Sequence, residues 1–175
     1  MISLFELLRT RRSIRKYLPK AVEQDKIDKI TCAALMSPAS KRSNPWEFIV
    51  VEDKQMLLKL SECRIHGSQM LSDSPLAIVV IADKTKSDVW IEDASIAAII
   101  MQLEAHDLEL GSCWVQVYDR DKDENTTAEA YIRELFAIPE QFGVLCILSI
   151  GYPNEERKPY ETIKLATHKI HSEKF

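Results

Sequence analysis

Glycine is scarce. The 175-residue chain has four, Gly67, Gly111, Gly143 and Gly151, too widely spaced for a Gly-x-Gly-x-x-Gly turn or a Gly-x-x-x-x-Gly-Lys phosphate loop, which excludes a Rossmann dinucleotide site and a P-loop. No Gly-x-Ser-x-Gly elbow of the α/β-hydrolase type can be drawn either. The four cysteines, at 32, 63, 113 and 146, form no Cys-x-x-Cys pair, and Cys113 and Cys146 lie in apolar runs that read as buried thiols. Of the four histidines only His168 and His171 are close in sequence. With no cysteine or carboxylate cluster beside them, they read as surface residues, and no metal site is expected. No apolar run approaches membrane-spanning length, and the opening Met-Ile-Ser-Leu-Phe-Glu has neither the basic start nor the apolar stretch of a secretory leader. A reducing, cytoplasmic setting without membrane association is the expectation. A net charge of −4 argues against a general nucleic-acid binder.

What is present reads as one domain over residues 1–175, with 46% hydrophobic and 29% charged residues. Helices are expected over 3–10, 23–36, 54–63, near 67–72, over 90–110 and over 126–136; strands over 48–51, 75–82, 113–117 and 144–150. Gly111-Ser112 is expected to end the long helix. The tail from 154 is polar and extended, with Ile163 and Leu165 as its anchors. The fold class is α+β (α/β-like), with one central sheet of four or five strands flanked by helices. The 90–110 helix, with Ala94, Ile96, Ala97, Ala98, Ile99, Ile100 and Met101, is apolar nearly all round and must be covered on every side. Either the rest of the domain or a second subunit can supply that cover. Glu92 and Asp93 open this helix, where negative charge suits the helix dipole.

Against an acidic background, five basic residues crowd into eight positions: Arg9, Arg11, Arg12, Arg15 and Lys16. Guanidinium forks match phosphate oxygens, and Ser13 adds a hydroxyl donor. The segment reads either as a solvated charge run after a short helix or as an anion site. A phosphate-type cluster with no nucleotide fingerprint, nucleophile or metal motif fits a cofactor that carries both the phosphate and the chemistry.

Three segments in order resemble the nitroreductase family of flavin-dependent oxidoreductases. Arg11-Arg12-Ser13-Ile14-Arg15-Lys16-Tyr17 is similar to the family's opening motif. Pro38-Ala39-Ser40-Lys41-Arg42-Ser43-Asn44-Pro45-Trp46-Glu47-Phe48 resembles its Pro-(Ser/Ala/Thr)-Ser-x-Asn-x-Gln-Pro-Trp-x-Phe loop. Leu110-Gly111-Ser112-Cys113-Trp114 and the later Ile150-Gly151-Tyr152-Pro153 resemble its long-helix exit and last core strand, and Ile170 to Phe175 resembles a common family ending. The chain departs from the pattern at Arg42, where the family usually has asparagine, and at Asn44, where it usually has glutamine.

The resemblance implies a mostly antiparallel sheet, an intertwined homodimer with FMN bound at the interface, and NADH or NADPH as transient co-substrate. The acceptor would be a small organic molecule such as a nitroaromatic, quinone or enone. Reductive dehalogenation, flavin breakdown or a non-enzymatic anion- or flavin-binding regulatory dimer are the alternatives. Carried over, Arg11, Arg12 and Ser13 face the phosphate and ribityl chain, and Arg15 reaches the pyrimidine side. Pro38, Ala39, Ser40 and Arg42 come from the other subunit to the flavin edge. Gln69 stands near the ring, and Lys158 is a late phosphate contact with Arg157 as the alternative. No protein side chain is expected to act as a catalytic acid or base.

Overall fold

The computed structural model describes residues 3–175. Its centre is a four-stranded, wholly antiparallel sheet in the order β1-β2-β4-β3, formed by β1 (Trp46–Val51), β2 (Leu76–Asp83), β3 (Gly111–Gln116) and β4 (Phe142–Gly151). The two central strands, β2 and β4, are buried along their entire lengths. That is why both read as nearly unbroken apolar runs instead of alternating ones: helices cover both faces of the sheet, and a polar side chain such as Ser149 is accommodated only with a hydrogen-bond partner.

Alternate residues of β2 divide between the two cores. Leu76, Ile78 and Val80 pack with α2 (Gln24–Leu35) and α4 (Trp90–Asp107), through Ile30, Ala94 and Met101. Ala77, Val79 and Ile81 pack on the opposite face with α3 (Lys54–Ser61) and α5 (Ala128–Phe136), through Leu57, Leu60 and Ile132. A short α1 (Leu4–Thr10) precedes them all. Helix starts carry their own signals: Ser3, Asp53 and Thr127 each accept a hydrogen bond from a backbone N–H three residues on, satisfying a donor the helix cannot.

The structure corrects the sequence reading in two places. The long helix stops at Asp107, turned by Glu109 with φ 64°, and Gly111-Ser112 begin the next strand instead of ending the helix. The reason is packing. A side chain on residue 111 would put its Cβ 2.7 Å from the Cβ of Ile14, so glycine is there to let the N-terminal segment lie against the strand. The tail is extended as expected, but Ile163 and Leu165 do not anchor it: Ile163 is 91% exposed and Leu165 is exposed as well. One protomer also leaves part of the apolar α4 uncovered, with Ile96 and Ile99 each 37% exposed.

Gly111→Ala should displace Ile14 from the strand. An overpacked buried contact of this kind is expected to lower stability by about 1–3 kcal/mol, read as a fall in Tm by calorimetry. An unchanged Tm would mean that Ile14 moves aside freely.

Candidate functional site

The arginine segment is a strand-like strap laid along the free edge of β3. It leaves α1 at Arg11, whose N–H still caps Leu7, and turns extended (φ −61°, ψ 126°). The Ile14 N–H donates to the Ser112 carbonyl at 3.0 Å, Leu18 donates to Tyr152 at 2.9 Å, and Asn154 donates back to Lys16 at 2.9 Å. Ile14 and Tyr17 are the buried residues of the strap. The Tyr17 hydroxyl donates to the Ile14 carbonyl at 2.7 Å and meets the Ser149 hydroxyl at 2.7 Å; burial pushes its phenol well above the usual range. With these two residues held inside, Arg11, Arg12, Ser13 and Arg15 are left at least partly open to solvent.

These four do not stand alike. The guanidiniums of Arg11 and Arg15 have no carboxylate partner among the described residues. Both, with Ser13, act on the Cys113 thiol: burial raises it, while Arg15, Ser13 and Arg11 oppose that rise. Arg11 also joins burial in holding His106 below its usual value, and His106 Nε2 lies 2.8 Å from the Thr10 hydroxyl. Arg12, in contrast, donates to the Lys158 carbonyl and lies over the Tyr160 ring. Glu155 accepts the Arg15 N–H at 2.5 Å and pairs with Arg157 at 2.7 Å. The hydrogen bond from Arg15 and the charge of Arg157 hold its carboxyl below the usual range. Arg157 is thus already paired, while the Lys158 ammonium has no partner among the described residues.

Further along β3, Arg64 donates to the Gln116 carbonyl at 3.2 Å. Ser112 and Gln116 both point their carbonyls away from β4. By the two-residue period of a strand, the N–H and C=O of Trp114 between them face the same open edge. Arg64 therefore closes the far end of a shelf whose near end is Ser13. Nothing in Glu62-Cys63-Arg64-Ile65 singles this arginine out in sequence. Gln69 lies on the neighbouring 3₁₀ turn (Gln69–Asp73), and both ends of its amide are used locally, accepting from Gly67 N–H at 2.8 Å and donating to the Ile65 carbonyl at 3.2 Å.

The Pro38–Arg42 loop lies elsewhere. Buried Asp93, in the first turn of α4, accepts the Ser40 N–H at 2.8 Å and the Ser87 hydroxyl at 2.7 Å. Charge near the helix start is only part of its work; it is the peg on which the loop hangs. Lys41 pairs with Asp88 at 3.3 Å, and Lys41, Arg42 and Asn44 all take left-handed backbone angles (φ 52°, 56° and 42°). The Arg42 guanidinium has no partner among the described residues. The other end of α4 lies beside the strap's start: His106 meets Thr10, the last residue of α1, and Gln102 donates to the hydroxyl of Ser112, the β3 residue with which the strap pairs, at 3.2 Å. Asp93 and His106 are thirteen positions apart, about 20 Å along a helix. One chain therefore does not bring the two expected halves of the site together.

Chemically, the strap and edge can hold a doubly charged anion at the Arg11 end. A flat group with hydrogen-bonding edges can lie along Trp114 toward Arg64.

Comparison with known proteins agrees with this architecture. The model of the nitroreductase family matches residues 8–64 and 64–152. A solved FMN-dependent nitroreductase of Clostridium difficile R20291 is 53% identical and superposes with a TM-score of 0.97, covering 98% of this chain and 100% of that one. A protein of Archaeoglobus fulgidus, provisionally named NADH dehydrogenase/NAD(P)H nitroreductase, is 38% identical over 180 residues, all of both chains. An NADH dehydrogenase of Thermus thermophilus is 24% identical over 183 residues, 89% of each chain.

Glu155 ties the strap to the chain beyond β4. A carboxylate whose pKa falls on folding adds stability above its ordinary range and loses it as pH drops through the lowered value. Glu155→Gln should lower Tm at pH 7, and the gap to the parent protein should close on acidification through the lowered pKa of Glu155. A gap that stays constant to low pH would assign the effect to something other than this charge.

Proposed function

The chain belongs to the nitroreductase family, and from that membership we propose that it is an FMN-dependent oxidoreductase carrying two electrons from NADH or NADPH to a small organic acceptor. The observation that supports this most is the pair of uncommitted guanidiniums, Arg11 and Arg15, on either side of the Ser13 hydroxyl at an open sheet edge. The carboxylate nearby, Glu155, is taken by the Arg15 N–H and Arg157, so the two guanidiniums repel without a partner of their own, a cost that a bound anion offsets. The donor set fits a phosphate at one end and a ring with polar edges at the other. When bound, FMN supplies the redox chemistry, a two-electron transfer at its ring.

The protein's part is positioning and electrostatics. Arg11 and Ser13, joined by Lys158, give charge-assisted hydrogen bonds to the phosphate, each worth about 1.5–3 kcal/mol. Arg15 sets a fixed positive charge at the pyrimidine side, favouring electron density there. The strand edge at Trp114 offers backbone hydrogen bonds, and Arg64 and Gln69 bound the ring's far side. No side chain need act as acid or base.

The working unit is a homodimer. The 20 Å of helix between Asp93 and His106 supports this: Pro38, Ala39, Ser40 and Arg42 reach the flavin edge only if a second copy brings them. The exposed Leu4, Phe5, Leu8, Ile96, Ile99, Ile163 and Ile170 supply apolar surface for that second copy to cover. Arg42 then puts one more cation at the mouth of the site than the family pattern has, while Asn44 exchanges one neutral amide for a shorter one. No dinucleotide loop holds the nicotinamide, so it leaves before the acceptor enters, and the kinetics are ping-pong.

The purified protein should be yellow, or become so with FMN, and should bleach on addition of NADH or NADPH. Arg11→Ala should weaken FMN binding by about tenfold or more while circular dichroism stays that of the parent. Full flavin occupancy in that variant would refute the phosphate role. Initial rates should give parallel double-reciprocal lines; intersecting lines with a trapped ternary complex would rule out the ping-pong order.

A further inference from the structure

Arg12 sits among the residues the resemblance gives to the phosphate, yet its guanidinium is already engaged. It donates to the Lys158 carbonyl and stacks over Tyr160 with 4.6 Å from guanidinium carbon to ring centre. The Tyr160 N–H donates to the Arg9 carbonyl at 2.9 Å. These contacts bind residues 158–160 to residues 9–12. Beyond them the chain changes character. Residues 161–175 are exposed throughout, and their hydrogen bonds among the described residues are all made within that stretch, as in Lys164 to Glu161 or Ile170 to Thr167. Ile163 and Ile170 stand 91% and 78% exposed on it. Tyr160 is therefore the last point at which this arm touches its own protomer's body by hydrogen bonding, and Arg12 grips it there.

We propose that Arg12 is a positioning residue, a clasp that fixes where the C-terminal arm leaves the body and so couples its seating on a second copy of this chain to the phosphate end of the site. The coupling runs through Lys158. Arg12 holds its carbonyl, and its unpaired ammonium is one of the phosphate donors; this half rests on the FMN reading above. A planar guanidinium suits the task, since it donates in its plane while its face lies on an aromatic ring. Arg11 and Arg12, adjacent in sequence, thus have separate work: Arg11 addresses the ligand and Arg12 addresses the arm.

The test uses the full-length protein with and without FMN, and the variants Arg12→Ala, Tyr160→Ala, Tyr160→Phe, Arg11→Ala and the Arg12→Ala/Tyr160→Ala double. Three quantities are read: hydrogen exchange at the Tyr160 amide, dimer dissociation by sedimentation, and FMN affinity by flavin fluorescence quenching. Arg12→Ala and Tyr160→Ala should each speed exchange at residue 160, raise the dimer dissociation constant by about tenfold or more, and weaken FMN by about tenfold. The double variant should be no worse than Arg12→Ala, because both changes break the same contact. Tyr160→Phe keeps the ring and should behave as the parent. Arg11→Ala should weaken FMN while exchange at residue 160 and dimer dissociation, both read without FMN, stay at the parent values. Weakened FMN in Arg12→Ala with unchanged exchange and dimerisation would make Arg12 a plain phosphate ligand and overturn the proposal. So would full additivity in the double variant, or a Tyr160→Phe protein as impaired as Tyr160→Ala. If the parent protein binds no FMN, the functional reading fails, while exchange at Tyr160 and dimer dissociation still decide the clasp.

Discussion

The contact between Ile14 and the bare backbone of Gly111 is the constraint on which the functional end of the molecule depends. Because residue 111 has no side chain, an extended strap can lie flat on the edge of β3, buried at Ile14 and Tyr17 and hydrogen-bonded at both ends. With Ile14 and Tyr17 held inside, the residues before and between them, Arg11, Arg12, Ser13 and Arg15 among them, are left toward solvent. Arrangement of the charges is thus a by-product of apolar packing. The strap pairs with β3 at Ser112 and then with the chain beyond β4 at Tyr152 and Asn154, leaving the edge around Trp114 open.

The second organising element is α4. It is buried against the sheet by its alanines and Met101 and works as a rigid spacer with a functional attachment at each end. Asp93 holds the Pro38–Arg42 loop at one end; Thr10 and Ser112 meet His106 and Gln102 at the other. Its apolar character, which reads in sequence as a demand for cover on all sides, is met by one protomer on the core side only. The same helix therefore separates the halves of the site within a chain and offers the surface through which two chains can reunite them.

Much of this was legible in the sequence. The continuous apolar runs of β2 and β4, the periodicity of α2 and the turn residues around Pro139 led to the right elements, because burial on both sheet faces writes itself directly into composition. Gly111 misled, since glycine after a helix usually signals a cap, whereas here it serves a partner 97 positions away in the chain. The arginine cluster announced itself by density, but its division of labour did not. That Arg12 turns to Tyr160 while Arg11 stays unpaired is settled by tertiary contact alone. Arg64 carries no local signal, and the sequence marks Asp93 only as a charge at a helix start, for similar reasons: their neighbours in space, Gln116 and Ser40, lie 52 and 53 positions away.

The length of α4 has a genetic consequence. If each site takes its strap from one chain and its loop from the other, a lesion in the strap and a lesion in the loop spoil different contributions to the same pocket. Two inactive alleles, one altered at Arg11 and one at the Ser40 loop, would then complement when co-expressed, because a mixed dimer carries one site built from two sound halves. Two strap alleles would never do so. The pattern of complementation among alleles would thus map, without any structure, which residues travel together on one side of the helix.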